Sequence, residues 1–340
     1  MTDQSSITSR ASVALLGWRS TPRGLLLTGA LIAGLLLTVP FWGSSSLMRT
    51  LIEFITLLGL AQMWNLLAGY AGMVSVGQQA WIGLGGYALI VLADDLGISM
   101  FLAVFIGGLI AALIALPTAW LVFRLRAGYF AIGTWVIAEI FRLLVASSTD
   151  WLNGGLGRTL AAAGQLERGL REDLTYWLAV LIGLGSVVLV YALMRSPLGL
   201  GLTTLRDSET AAASLGVDTN RIKLLVYIIC AFGTGVIGGL IYMNVLRITP
   251  DAAFSVQWTA FMIFIVVIGG IGTIEGPILG TIIFFFIREY LSNFGGWSLI
   301  LLGLVAVVLM LVAPKGLWGL VHARYNLELF PIRRRLPDQD

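Results

Sequence analysis

The stretch "RDSETAAASLGV", residues 206–217, is a polar island between two long apolar segments of the chain. Its charged and hydroxyl side chains make it too polar for the lipid core, whereas its alanines favour a helix over a slack linker. Asp207 is a good N-cap, Glu209 adds negative charge to the first turn, and Gly216 can end the helix in a left-handed conformation. The stretch therefore predicts a helix of about two turns, too short to be stable unless it packs against another surface.

The rest of the chain is mostly apolar. Of its 340 residues, 58% are hydrophobic, only 11% are charged and 41 are glycine, a composition far from that of a soluble domain. The single cysteine, Cys230, and the single histidine, His322, exclude a disulfide framework and a Cys/His metal cluster. Because backbone groups in lipid must bond within their own segment, the composition predicts an all-α integral membrane protein.

Apolar runs of about 17 to 25 residues are long enough to cross a bilayer as helices. About ten such runs follow one another, at residues 24–42, 48–68, 77–93, 98–123, 127–147, 174–194, 223–245, 257–272, 277–291 and 297–313. We therefore divide the chain into an N-terminal segment, 1–23, a transmembrane domain, 24–313, and a C-terminal tail, 314–340. The polar island lies in the loop 195–222 of the transmembrane domain.

The distribution of basic residues predicts the orientation of the spans. If the N-terminus is cytoplasmic, 14 of the 21 lysines and arginines fall on the cytoplasmic side, as the positive-inside rule requires. The longest external segment, 148–173, balances its arginines with carboxylates such as Glu167 and Glu172. Both termini and the stretch 206–217 are therefore expected in the cytoplasm.

Two charged residues stand out inside a predicted span. Glu139 and Arg142 are three positions apart, so on a helix they lie on one face and can neutralise each other. A charge at the bilayer centre costs about 2.5 to 3.5 kcal/mol on insertion scales, so each needs a partner or a purpose. The pair is interpreted either as a structural ion pair that locks helices together or as a gate or substrate contact.

A second polar group surrounds the sequence "GYAGMVSVG", residues 69–77, where glycines interrupt an apolar run. Asn65, Ser75, Gln78 and Gln79 lie in or beside it. Irregular backbone at membrane depth is tolerated only inside protein or beside a water-filled path. These four residues are therefore candidates for the lining of a translocation path, with a helix-packing kink as the alternative.

Glycines four residues apart occur at Gly235 and Gly239, and again at Gly272, Gly276 and Gly280. Small residues at this spacing let two membrane helices approach closely. We expect both sets to mark close helix packing.

The sequence contains no motif that could drive transport or catalysis. It lacks a GxxxxGK[ST] phosphate loop and the HExxH and GxSxG motifs, so we predict no catalytic residue, no metal site and no bound cofactor. Energy for uphill transport would have to come from another polypeptide or from an ion gradient. An ion-coupled secondary transporter would show paired broken helices and buried carboxylates, and a membrane-embedded enzyme would need a nucleophile and a base.

The polar island resembles the EAA loop of bacterial ABC importer permeases. Glu209, Ala211, Ala212 and Gly216 match that pattern, with Thr210 standing where many members have alanine. Four further stretches resemble the M-type permeases for branched-chain amino acids, in the same order along the chain: residues 65–88, 123–144, 269–280 and 311–319.

This resemblance implies a type II ABC importer permease in the bacterial cytoplasmic membrane. The region of Arg206, Asp207 and Glu209 would be the coupling helix that contacts the ATPase. The implied partners are a homologous H-type permease subunit, two ATPase subunits that use ATP, a periplasmic or lipid-anchored solute-binding protein and membrane lipid, but no nucleic acid. The implied substrates are leucine, isoleucine and valine, with urea, amides or aromatic acids as alternatives because related permeases carry them.

Overall fold

The computed structural model describes residues 23–126, 128–214, 216, 218–292, 297–313, 316–325 and 329–330. Its α-helices, in chain order, are α1 (Arg23–Trp42), α2 (Ser45–Asn65), α3 (Gln79–Ile90), α4 (Met100–Val122), α5 (Gly128–Ser147), α6 (Thr149–Leu152), α7 (Arg168–Arg195), α8 (Pro197–Asp207), α9 (Glu209–Ser214), α10 (Thr219–Val245), α11 (Pro250–Ala253), α12 (Val256–Gly269), α13 (Glu275–Ser292), α14 (Trp297–Val312) and α15 (Gly316–Tyr325). Two short strands, β1 (Arg158–Thr159) and β2 (Arg247–Ile248), pair antiparallel.

Each of the apolar segments predicted from the sequence overlaps one of these helices. In the part of the chain that the structure describes, six helical stretches are long and apolar enough to cross a membrane: Ser45–Tyr70, Met100–Val122, Gly128–Ser147, Arg168–Arg195, Thr219–Val245 and Pro250–Gly269. The chain is therefore a mostly helical, multi-pass membrane protein, as its composition predicted.

The helix α2 lies at the centre of the bundle and α5 lies at its edge. In the most apolar part of Ser45–Tyr70, 83% of the residues are buried. In the most apolar part of Gly128–Ser147, only 17% are buried. The helices packed around α2 include α7, α10, α12 and α13. The exposed surface of α5 is thus available to lipid or to another subunit.

Glycines bring helices into backbone contact at two places. Between α3 and α10, a Cβ atom at Gly85 would lie 2.0 Å from the Gly235 carbonyl oxygen. Between α12 and α13, a Cβ atom at Gly280 would lie 2.0 Å from the Ile265 carbonyl oxygen. The predicted close packing is confirmed for these helices. Gly272 differs, because it lies in a turn with a φ of +76°.

The span that contains α3 is broken, as the glycines around residues 69–77 indicated. After α2, residues Leu66–Tyr70 form a π-helical turn, Gly72 takes a φ of +70°, and residues 72–77 run back without helical structure before α3 begins. Irregular backbone therefore lies alongside α2, in the region of the bundle where Trp64 Nε1 donates to the Ser75 carbonyl oxygen at 2.9 Å.

Residues 148–167 form a compact cap at one end of the bundle. Arg158 in β1 binds the Asp95 carboxylate through Nη2 at 2.6 Å and Nη1 at 2.8 Å. Asp94 accepts hydrogen bonds from the backbone nitrogens of Ala161 and Ala162 at 3.1 and 2.8 Å. The cap is thus fixed to the end of α3 by two neighbouring carboxylates, although this segment has little regular structure of its own.

Replacing Asp95 with asparagine should loosen the cap. The hydrogen bond from Arg158 holds the pKa of Asp95 below its usual value, against the opposing effect of burial. A lowered folded-state pKa means that the ion pair stabilises the cap above the ordinary carboxyl pKa and that this contribution is lost as the pH falls through the lowered value. At neutral pH we expect amide hydrogen exchange at Leu160, which donates to the Leu246 carbonyl oxygen, to rise about fivefold or less.

The matched control is Asp150→Asn, which removes an exposed carboxylate of the same cap that accepts a hydrogen bond from the adjacent Thr149. In strong acid, where Asp95 is protonated, the protection factors of the wild type and of the Asp95→Asn variant should become equal. Equal exchange at Leu160 in the wild type and in the Asp95→Asn variant at neutral pH would show that the Arg158–Asp95 ion pair does not hold the cap.

Two described parts of the C-terminal segment, the helix α15 and Phe330, are packed against the bundle. The helix α15 lies against α12 and α13, and a Cβ atom at Gly316 would lie 2.3 Å from the Gly270 Cα atom. Further along, the Phe330 nitrogen donates to the buried Glu275 carboxylate at 2.8 Å. The sequence analysis treated 314–340 as a tail, and it missed this contact because Glu275 lies near a span end, where an interfacial position was the simpler interpretation. The residues 331–340 lie outside those described.

Candidate functional site

The polar segment 195–222 contains two helices where the sequence predicted one. Ser196 caps α8 by accepting from the Leu198 nitrogen at 3.2 Å, and Pro197 occupies the first turn. Serine followed by proline is a helix-start signal, so α8 could have been predicted. It runs to Asp207, which is therefore the last residue of α8 and not the N-cap of the next helix. That prediction was wrong by one residue.

The short helix α9 begins after Ser208, whose carbonyl oxygen accepts from the Ala212 nitrogen at 3.0 Å. At its other end Gly216 has a φ of +79°, and its nitrogen donates to the Ala213 carbonyl oxygen at 3.0 Å. The predicted left-handed helix end at Gly216 is confirmed. Leu215 and Val217, which flank this glycine in the predicted stretch, lie outside the described residues.

An ion pair holds α9 against the start of α10. The Glu209 carboxylate binds Lys223 Nζ, and about half of the Glu209 side chain (55%) stays exposed. Ala212 is buried within the chain, so it packs α9 onto its own subunit instead of facing outward; the Ala211 side chain is not described. The exposed surface of α9 therefore carries Glu209 in its first turn.

Arg206 connects this segment to the broken end of α2. Its Nη1 atom donates to the Gly69 carbonyl oxygen at 3.4 Å, and its Nε atom is 3.3 Å from the Asp207 carboxylate. A Cβ atom at Gly272 would lie 2.9 Å from Arg206 Nη1. Arg206 thus links α8 to the π-helical turn that follows α2 and to the turn between α12 and α13.

Asn65 joins these same two turns. Its Nδ2 atom donates to the Thr273 carbonyl oxygen at 2.8 Å, and its Oδ1 atom accepts from the Gly272 nitrogen at 2.8 Å. The side chain is completely buried (0% exposed). Gln62, one turn earlier, donates to the Ile274 carbonyl oxygen at 3.0 Å. The sequence analysis missed Gln62, although a polar residue within a long apolar run is itself a signal.

Ser75, Gln78 and Gln79 are buried within the subunit. The Ser75 hydroxyl oxygen accepts from the Gly77 nitrogen at 3.2 Å, Gln78 Oε1 accepts from Thr234 at 3.3 Å, and Gln79 Oε1 accepts from Thr259. Within the described residues, the side-chain nitrogens of both glutamines have no hydrogen-bond partner. An isolated subunit therefore does not present these side chains on an open surface.

The face that is open belongs to the irregular stretch and to α5. Val74 is 48% exposed. The Val76 nitrogen donates a hydrogen bond to Thr134 Oγ1 of α5 at 3.1 Å. A Cβ atom at Gly77 would lie 2.1 Å from the Thr134 carbonyl oxygen. The irregular stretch thus packs closely against α5 at the buried Thr134.

The charged pair of α5 lies on this part of the molecule, near the cap. Arg142 binds Glu139 through Nη2 at 2.5 Å, which confirms the predicted pairing. It also binds Asp251 of α11 through Nη1 at 2.6 Å, a partner that the sequence analysis missed because it lies 109 residues away. Glu139 remains 43% exposed. Within the described ranges, no group of three or more His, Cys, Asp or Glu side chains is placed to hold a metal ion.

Comparisons with known proteins agree with the resemblance seen in the sequence. Residues 46–314 match the family model described as branched-chain amino acid transport system / permease component. The high-affinity branched-chain amino acid transport system permease proteins LivM of Escherichia coli and Salmonella typhimurium are 30% and 28% identical, over 82% of this chain and 70% of each relative. A probable LivM permease of Methanocaldococcus jannaschii is 23% identical over 57% of this chain and 56% of its own length. No solved structure matches.

Proposed function

The chain belongs to the family of branched-chain amino acid transport system permease components, and we propose that it is the permease subunit of an ATP-driven importer for leucine, isoleucine and valine. The relatives named above support this substrate class. The chain itself binds no cofactor in this proposal, because ATP is used by separate ATPase subunits.

The observation that carries the ATP-driven mechanism is the exposed helix α9. Contacts at both ends fix its position. Gly216 ends the helix and Lys223 binds Glu209, while Arg206 of the preceding helix donates to the Gly69 carbonyl oxygen. A helix this short depends on its packing, so a partner that grips it can move it as a unit with its neighbours. We assign Arg206, Asp207, Glu209, Ala211, Ala212 and Gly216 to this coupling element.

The translocation path is proposed along the open face of α5 and residues 72–77. In a bilayer, irregular backbone must be covered by protein or must line a water-filled cavity, and a half-exposed carboxylate such as Glu139 has the same requirement. A homologous permease subunit packed on this face would meet both requirements. The path would then pass Glu139 and Arg142, with Asn65, Ser75, Gln78 and Gln79 supporting its wall from within the subunit.

The membrane arrangement follows from the same proposal. We place about ten spans across the bilayer, with α9 and both termini in the cytoplasm and the cap on the opposite side. The complete importer would contain this chain, a homologous H-type permease, two ATPase subunits and an external solute-binding protein. The cap is the surface nearest to a solute-binding protein, and the α9 end is the surface nearest to the ATPases.

The test is uptake of labelled leucine into proteoliposomes that contain the assembled importer, with ATP inside and the binding protein outside. We expect uptake to require ATP and to stop when the catalytic glutamate of the ATPase is replaced. Uptake that follows an ion gradient without ATP would overturn the mechanism. ATP-driven uptake of urea, an amide or an aromatic acid but not leucine would overturn the substrate class and leave the mechanism standing.

A further inference from the structure

A polar cavity of about 330 Å³ lies at the cap end of the bundle, away from α9. It is formed where α2 and α7 begin and α10 ends. Its polar lining includes Ser45 and Arg49 of α2, Arg168, Arg171 and Thr175 of α7, and Asn244 of α10. It belongs neither to the coupling element nor to the proposed path along α5.

The lining of this cavity is positively charged. Its lining contains three arginines, Arg49, Arg168 and Arg171, and one carboxylate, Glu172, which gives a net charge of +2 (three minus one). Arg49 and Arg168 both bind the same oxygen of Glu172, at 2.8 and 3.1 Å, and Arg171 donates to the Ala163 carbonyl oxygen at 2.7 Å. A guanidinium group carries five N–H donors, so these contacts leave several donors for a further acceptor.

The helix geometry adds to this positive charge. Both α2 and α7 start at the cavity; the first turn of each lacks an acidic residue, although Glu167 is the N-cap of α7 and the Ser44 side chain caps α2 by accepting from the Leu47 nitrogen at 3.2 Å. The free N–H groups and the dipole at a helix N-terminus favour an anion. Together with the arginines and the Asn244 amide, they make a site for an oxyanion that can accept several hydrogen bonds at once.

Neighbouring aromatic residues place the cavity at the level of the lipid headgroups. Thr175 in the cavity is followed by Tyr176 and Trp177, which donate to the Leu36 and Leu37 carbonyl oxygens of α1 at 3.0 and 3.2 Å. Phe41 contacts Trp177, with ring centroids 6.3 Å apart, and Trp42, the last residue of α1, is exposed. Tyr176 is buried in the bundle, but tryptophan concentrates at the membrane–water interface, so Trp42 and Trp177 favour a position of the cavity near the lipid headgroups.

We propose that this cavity binds the phosphate of an anionic phospholipid headgroup, with Arg49 and Arg168 as its principal ligands. Arginine binds phosphate oxygens bidentately, and a net charge of +2 favours an anion over a zwitterion. Exposed apolar side chains on α1 and α7, among them Leu35 and Leu181, supply a surface for the acyl chains of the same lipid. Inorganic phosphate shares the headgroup's chemistry but lacks this second contact.

The test uses the full chain purified with its permease partner in a neutral detergent. Native mass spectrometry and thermal denaturation would be recorded with phosphatidylglycerol, with phosphatidylcholine and with inorganic phosphate. We expect phosphatidylglycerol to bind and raise the Tm more than phosphatidylcholine does. The double variant Arg49→Gln/Arg168→Gln should weaken phosphatidylglycerol binding at least about tenfold, since two charge-assisted contacts are lost.

The matched control is Arg124→Gln/Arg126→Gln, which removes two positive charges between α4 and α5 at the other end of the bundle and should leave lipid binding unchanged. If the double variant does not purify, Arg168→Gln alone provides the comparison, because its side chain is 72% exposed and its replacement does not disturb the core. Equal phosphatidylglycerol binding by the cavity variant and the wild type would overturn the site. If inorganic phosphate binds and raises the Tm but phosphatidylglycerol does not, the cavity takes free phosphate and the assignment to a lipid headgroup is overturned.

Discussion

The Glu209→Lys variant is expected to insert into the membrane and assemble, yet to lose ATP-driven uptake by at least about tenfold, a change within the usual range of coupling free energies. Glu209 binds Lys223 and is half exposed, so the substitution sets two ammonium groups against each other at the base of α9. It also reverses the charge that α9 presents to a partner. The measurement is leucine uptake per assembled complex, with assembly quantified by affinity copurification.

A charge exchange separates the two roles of Glu209. In the double variant Glu209→Lys/Lys223→Glu the ion pair is restored with reversed polarity, so α9 returns to its place on α10. We expect it to recover much of the uptake that the single variant loses, because positioning of α9 is the role that the geometry supports directly. The matched control Asp218→Lys alters another carboxylate of the same segment, one that caps α10 and pairs with Arg221.

Two outcomes would contradict this account. Normal uptake in the Glu209→Lys variant would remove α9 from the coupling element. Complete loss of uptake in the Asp218→Lys control, with assembly intact, would show that any charge reversal in the segment is harmful and that Glu209 has no special role.

Local features of the sequence predicted the helices well and their contacts poorly. The apolar runs specified the helices because a span is defined by the hydrophobicity of its own residues. The end of α9 at Gly216 was also predictable, since a left-handed residue is a local requirement. The position of Asp207 at the end of α8 was not predictable, because the length of α8 decides where the following helix begins.

Pairings between distant residues explain most of what was missed in the site. Arg142 and Glu139 are neighbours in sequence and were paired correctly, whereas Asp251 joins them only through the fold. Gln78 and Gln79 were expected near a path, but their burial depends on Thr234 and Thr259, more than 150 residues further along the chain. A single sequence contains no local signal for such contacts.

Replacing Asn65 with alanine is expected to have the largest effect on stability. The substitution leaves the Gly272 nitrogen and the Thr273 carbonyl oxygen without their side-chain partner in a completely buried position. An unsatisfied buried polar group costs about 1–3 kcal/mol, so the loss of a partner by these two groups should lower the free energy of unfolding by about 2–6 kcal/mol. The measurement is denaturant-induced unfolding of the purified complex in mixed micelles.

The control for this variant is Thr56→Ala on the same helix. Thr56 is also buried, but its hydroxyl donates to the Glu53 carbonyl oxygen only one turn away, at 2.8 Å. A local bond of this kind contributes little to tertiary structure, so the loss should be below about 1 kcal/mol. Equal destabilisation by the two substitutions would show that the hydrogen bonds between α2 and the α12–α13 turn stabilise the fold no more than a local hydrogen bond does.

The same variant distinguishes a structural contact from a transmitting one. Asn65 lies between Gly272 and Gly69, since a Cβ atom at Gly69 would lie 2.2 Å from Asn65 Oδ1, and Arg206 reaches the Gly69 carbonyl oxygen from the coupling element. If Asn65 were only structural, its loss would reduce uptake and ATP hydrolysis in proportion to the folded protein that remains. If it transmits movement from α9, hydrolysis should continue while uptake falls, and the ATP consumed per leucine should rise. We expect the second result, because a buried side chain that bridges two helix ends next to Arg206 fixes how movement of one end displaces the other.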